Sequence, residues 1–107
     1  MTDLSELTKQ ALLTIRETIE YREYENTLNL IKAEPELFRR ACELRERSFF
    51  LQKNTGEDVL QKVDSLTNEF QDVINNRLGS EFLRADAALC RLLQKFTYQL
   101  TEGLHFE

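Results

Sequence analysis

Glu102 and His105 stand three residues apart near the end of the chain. This is the Glu-x-x-His spacing that puts both side chains on one helix face in di-iron bundles, where two such motifs and two further glutamates complete the centre. His105 is the sole histidine of 107 residues, and Gly103 ends the helical pattern just before it. The pair therefore reads as a solvated tail, and no metal site is expected. The lone histidine also leaves Ser-His-Asp and Cys-His chemistry without a base beside a nucleophile. Cys42 and Cys90 both fall mid-helix. A cluster held by cysteine alone needs four thiolates, which two cysteines supply only across a dimer. They are expected to be buried small residues in a reducing compartment. No glycine-rich run offers a phosphate loop. The expectation is a protein with no catalytic residues and no cofactor.

The remaining chemistry is charge. The net charge of −5 opposes a general nucleic-acid role, which needs a basic face. One segment departs from this. Residues 35–53 carry five bases (Arg39, Arg40, Arg45, Arg47, Lys53) against three acids (Glu36, Glu43, Glu46). The two signs interleave on the helical wheel, as on a salt-laced exposed face. Glu36–Arg40 and Glu43–Arg47 are read as i,i+4 pairs in the favourable order. Phe49 extends the apolar face of this segment, whereas Phe50 points away from it, as a partner anchor would. Phe50 with Arg39, Arg40 and Arg47 is the expected partner contact.

Amphipathic helices must position these residues. There are one proline and three glycines, and between them apolar residues recur every three or four positions. The spacing predicts five helices. The first spans about Asp3–Thr18, with Leu4, Leu7, Ala11, Ile15 and Ile19 on one face. The second uses Tyr21, Tyr24, Leu28 and Ile31, with Thr18 as its N-cap unless the two are continuous. Pro35 suits the first turn of the third, whose face is Leu37, Phe38, Ala41, Leu44, Ser48 and Leu51. Asn54-Thr55-Gly56 closes it, Gly56 as a left-handed stop. Glu57 and Asp58 open the fourth, with Val59, Val63, Leu66, Phe70 and Ile74 inward. Asn76 or Ser80 caps the fifth, which reaches about Glu102.

In the fifth helix Phe82, Ala85, Leu89, Leu92, Leu93, Phe96 and Leu100 fall within about 100° of arc and are read as its core face. Leu83, Ala87, Cys90 and Tyr98 form a weaker stripe about 120° away, either buried in the monomer or the seam of a homodimer. Asp86 intrudes at the edge of the core stripe, and Arg45 sits similarly on the third helix. A half-buried carboxylate needs a partner, so Arg45 and Asp86 are expected to pair, within a chain or across a dimer. The fold class is all-α: about five helices in an antiparallel bundle, one domain over residues 1–107. With 41% hydrophobic and 31% charged residues, the composition is that of a globular domain, and no apolar run approaches bilayer-spanning length.

The order of parts resembles the YlbF/YmcA family of small bacterial helical proteins. The resemblance runs through the leading helix, Tyr21-Arg-Glu-Tyr24, Glu34-Pro35, Leu37-Phe38, Asn76, Glu81-Phe82-Leu83-Arg84-Ala85-Asp86 and the ending Glu102-Gly-Leu-His-Phe-Glu107. It implies a dimeric, non-enzymatic adaptor. Members of that family regulate competence, sporulation and biofilm formation, in a complex of sister proteins that modulates ribonuclease Y and messenger-RNA processing. Some members hold iron–sulfur clusters with a cysteine-rich C-terminal tail, which is not found here. The expected protein is a cytoplasmic adaptor whose partners are itself and sister proteins or a ribonuclease, without membrane or general nucleic-acid contact. An RNA-contacting accessory protein using residues 39–53 is the alternative.

Overall fold

The computed structural model describes residues 3–52, 56 and 58–104. His105, Lys53, Asn54, Thr55 and Glu57, to which the sequence assigns roles, lie outside the described residues. The described residues form six helices and no strand: α1 (Leu4–Arg16), α2 (Ile19–Ile31), α3 (Pro35–Gln52), α4 (Val59–Glu69), α5 (Gln71–Ile74) and α6 (Arg77–Gly103).

Local chemistry sets the helix starts. Asp3 accepts a hydrogen bond from the Glu6 N–H at 2.9 Å, Thr18 from Tyr21 at 3.2 Å and Asn76 from Gly79 at 3.0 Å. Each satisfies one of the orphan donors of a first turn. The Thr18 cap separates α1 from α2, and α1 ends at Arg16. Pro35 occupies the first position of α3. Gly56 is not a left-handed stop, since no described glycine has positive φ.

α2 lies along α6 as its principal partner, and α3 packs across both α6 and the α4–α5 segment. Ile31, Ala41, Phe70, Val73 and Phe82 have no exposed surface and define the centre of the core, with Leu44 and Leu66 beside them. Phe82 receives the Tyr24 ring at 5.9 Å and the edge-on Phe38 ring at 5.9 Å. Thr27 is buried, with its hydroxyl donating to the Glu23 and Tyr24 carbonyls at 3.0 Å.

The fourth predicted helix breaks at Phe70 into α4 and α5. The Val73 and Ile74 N–H groups both turn to the Phe70 carbonyl. This leaves the Glu69 carbonyl without its helical donor, and Arg40 Nη2 supplies one at 3.0 Å. Val63 and Ile74 are 40% and 36% exposed instead of inward, because they line an open groove and not the core.

The molecule is a slab of 52 × 38 × 19 Å. Its thickness is about two helix diameters, so most helices are covered on one side only. α1 buries no residue at all. The predicted core face of α6 holds only at Phe82 and Ala85. Leu89 and Leu92 are half-buried, and Leu93, Phe96 and Leu100 are exposed. Phe49 is also exposed, contrary to its expected core position.

Candidate docking groove

The weaker stripe of α6 has a clear place. Leu83, Ala87 and Cys90 form one wall of an open groove whose other walls are Leu44, Ser48 and Phe49 of α3 and Val59, Val63 and Leu66 of α4. Its volume is about 680 Å³, within the range of ligand-sized concavities. Tyr98 lies beyond it on α6, exposed, with its hydroxyl donating to Glu102 at 2.8 Å. Leu83 also packs against the core, at the inner end of this wall, so Tyr98 is the one member of the stripe that lies outside the groove.

Arg45 and Asp86 meet in this groove within one chain, Nη1 to Oδ1 at 3.1 Å. The Asp86 side chain is 14% exposed and Arg45 43%. The pair crosses from α3 to α6 and offers a neutralised polar rung in an apolar trough. Arg91 and Gln94 also line it. Cys90 is exposed, not the buried small residue expected, and Cys42 is half-buried. Partial burial against the groove wall, followed by the Asp86 carboxylate, pushes the Cys90 thiol up. It is therefore a protonated, weakly nucleophilic side chain at neutral pH.

The three arginines expected to meet a partner are engaged within the chain. Arg39 pairs with Glu36 and Glu43. Arg40 grips Asp72 with two bonds of 2.7 and 2.8 Å, and Arg47 reaches Glu69 at 2.7 Å. Both guanidinium groups lie over the Phe70 ring, at 4.6 and 5.3 Å from its centre. The predicted Glu36–Arg40 and Glu43–Arg47 pairs give way because Arg40 and Arg47 face the α4–α5 break. Phe50 is 62% exposed, edge-on to Phe49 at 6.2 Å, and lines a shallower depression with Arg47, Lys62 and Ser65.

The arginine clamp has a pH signature. Hydrogen bonding to Arg40 holds the Asp72 carboxyl below its ordinary value, and Arg47 does the same for Glu69. A carboxylate depressed in the folded state stabilises the fold fully above its unfolded-state value, and this is lost as pH falls through the depressed value. In the acid range the wild-type unfolding midpoint should therefore fall more steeply than that of Asp72→Asn/Glu69→Gln. Both carboxylates are exposed, so added salt should shrink the difference. Parallel acid-limb slopes would show that the clamp contributes nothing.

Among the described residues no three His, Cys, Asp or Glu side chains converge to hold a metal ion, and no helix is long and apolar enough to cross a membrane. No curated protein and no solved structure matches this chain. A family model described as control of competence regulator ComK, YlbF/YmcA, matches residues 6–105. With that match covering nearly its whole length, the chain belongs to the YlbF/YmcA family, whose described role is regulatory.

Proposed function

We propose that this protein is a non-enzymatic, cytoplasmic regulatory adaptor that acts by protein contact, with the groove between α3, α4 and α6 as its docking surface. The observation that carries this reading is the groove itself: apolar walls from three helices, its one internal ion pair already satisfied. An amphipathic partner helix suits such a trough, laying apolar side chains at i, i+3/4 and i+7 along it. The family's regulatory description supports the reading, and sister family proteins or a ribonuclease acting on messenger RNA are the partners its resemblance suggests. Self-association belongs to the same proposal. The RNA-contacting alternative needs cations free to meet phosphates, and Arg39, Arg40 and Arg47 are each paired with carboxylates.

The test is affinity purification of the tagged full chain from its native cells, beside an Ala87→Glu variant. Ala87 stands at the groove wall and outside the buried core, so a charge there should leave the fold intact. Wild type is expected to recover sister proteins or a ribonuclease, and the variant at least about tenfold less, since a buried unpaired charge disrupts an interface. Recovery of the same partners by both proteins would remove the groove from the mechanism. Recovery of this chain alone would remove the adaptor reading.

A further inference from the structure

The groove carries a charge that the fold does not use. Among the described residues its charged lining is Arg45, Asp86 and Arg91. Arg45 and Asp86 neutralise each other, whereas Arg91 is exposed and has no ion-pair or hydrogen-bond partner among the described residues. Its helical neighbours three and four positions away are Ala87, Ala88, Gln94 and Lys95. No carboxylate is therefore in local reach, and Lys95, one turn on, repels it. Arg39, Arg40, Arg45 and Arg47 of α3, by contrast, all engage carboxylates. Residues 87–101 hold Arg91 and Lys95 and no acid, in a chain with 19 acids against 14 bases.

This local reversal of sign restricts what fits. Arg91 lies five residues past Asp86, about 7.5 Å further along α6 at about 1.5 Å per residue. An occupant must cover Leu44, Val63, Leu66 and Ala87 with apolar side chains and meet a free guanidinium on the α6 wall. A guanidinium holds a carboxylate through two parallel N–H donors. A cation at the same place would face Arg91 with Lys95 behind it, a like-charge contact of the kind that rejects wrong partners. A phosphate chain would also meet the guanidinium. The walls it would cross are mostly aliphatic, however, and Phe49 is the one ring among the described lining residues on which a base could stack.

We propose that the groove selects an acidic amphipathic segment of a partner protein, whose apolar face fills the trough and whose carboxylate pairs with Arg91. This rests on the reading of the groove as the docking surface and adds what that surface selects for. Arg91 is the specificity-determining residue, and the Arg45–Asp86 rung, already neutral, imposes no second charge.

The test is fluorescence anisotropy of the full chain with three labelled helical peptides. All share leucines at i, i+3/4 and i+7, and they differ only in the residues flanking that stripe: glutamate, glutamine or lysine. Wild type should bind the glutamate peptide at least about tenfold more tightly than the lysine peptide, with the glutamine peptide between them. Added salt should narrow the gap. The net charge of −5 acts in the opposite sense, so a preference for glutamate must come from the groove. Arg91→Gln should erase the preference and Arg91→Glu reverse it, both with unchanged far-ultraviolet dichroism, since the side chain is exposed. Ala87→Trp fills the trough without adding charge and should weaken all three peptides alike. Equal binding of the three by wild type, or a preference that survives Arg91→Glu, would overturn the proposal and leave the groove as a docking surface. Failure of all three to bind, or binding that Ala87→Trp leaves unchanged, would overturn the groove reading as well. Displacement of the glutamate peptide by oligouridylate would overturn the proposal in favour of a phosphate chain.

Discussion

Replacing Phe82 by alanine is expected to cost roughly 3–5 kcal/mol of stability, the range for truncating a fully buried aromatic side chain. Phe82 has no exposed surface, and rings from two other helices, Tyr24 of α2 and Phe38 of α3, pack on it at 5.9 Å. The cavity would thus open where three helices meet, with little freedom to collapse. A domain of this size has only about 5–15 kcal/mol to lose, so the variant should sit close to its unfolding threshold. Urea unfolding followed by far-ultraviolet dichroism measures this as a lower midpoint at unchanged slope. Phe96→Ala is the control on the same helix and the same stripe. Its ring is 40% exposed, and in dilute protein its loss should cost under about 1 kcal/mol. Equal losses at the two positions would mean that the stripe is buried uniformly and that α6 does not outrun the core.

That contrast marks where the sequence is legible and where it is not. Thr18 and Asn76 are readable as caps because each bonds a backbone N–H three residues on, within reach of local pattern. Pro35 is readable because its missing N–H suits a first turn. Arg45 and Asp86 are readable because each interrupts an apolar face and burial then demands a partner, even 41 positions apart. The break at Phe70 is not readable. Val59, Val63, Leu66, Phe70 and Ile74 keep helical spacing straight through it, and the contact that satisfies the freed Glu69 carbonyl comes from Arg40, 29 positions away. The Arg40–Asp72 and Arg47–Glu69 pairs are hidden for the same reason, since local i,i+4 partners were available to compete. Periodicity reports that Leu93, Phe96 and Leu100 share a face with Phe82. It carries no information on whether anything in the chain covers that face. The groove is legible only in part: the stripe of Leu83, Ala87 and Cys90 shows in the sequence, but its opposite walls are set by how α3 and α4 splay.

Gly79→Ala should destabilise the protein by about 2 kcal/mol, although alanine is the better helix former by about 1 kcal/mol. Gly79 is the third residue of α6 and receives the Asn76 cap. Its φ is not positive, so backbone freedom does not explain the glycine; space does. A Cβ there would stand 2.7 Å from the Val73 carbonyl oxygen, 3.1 Å from Val73 Cγ1 and 3.4 Å from Leu37 Cδ1. The nearest of these is backbone and cannot swing aside. Val73 is fully buried, and its carbonyl accepts the Asn76 N–H at 3.2 Å in the link between α5 and α6. Relief of the clash must therefore shift that link or the first turn of α6, and overpacking of this kind costs about 1–3 kcal/mol. Gly103, in the last turn of the same helix, has nothing within 4 Å of a built Cβ. Gly103→Ala should be neutral or stabilising by up to about 1 kcal/mol. Thermal unfolding of the two variants should then move in opposite directions from wild type. A rise for both would mean that Val73 yields easily and that the α5–α6 junction does not pin the start of the long helix; a fall for Gly79→Ala alone places the anchor of α6, and with it the angle at which its exposed half leaves the core, at this contact.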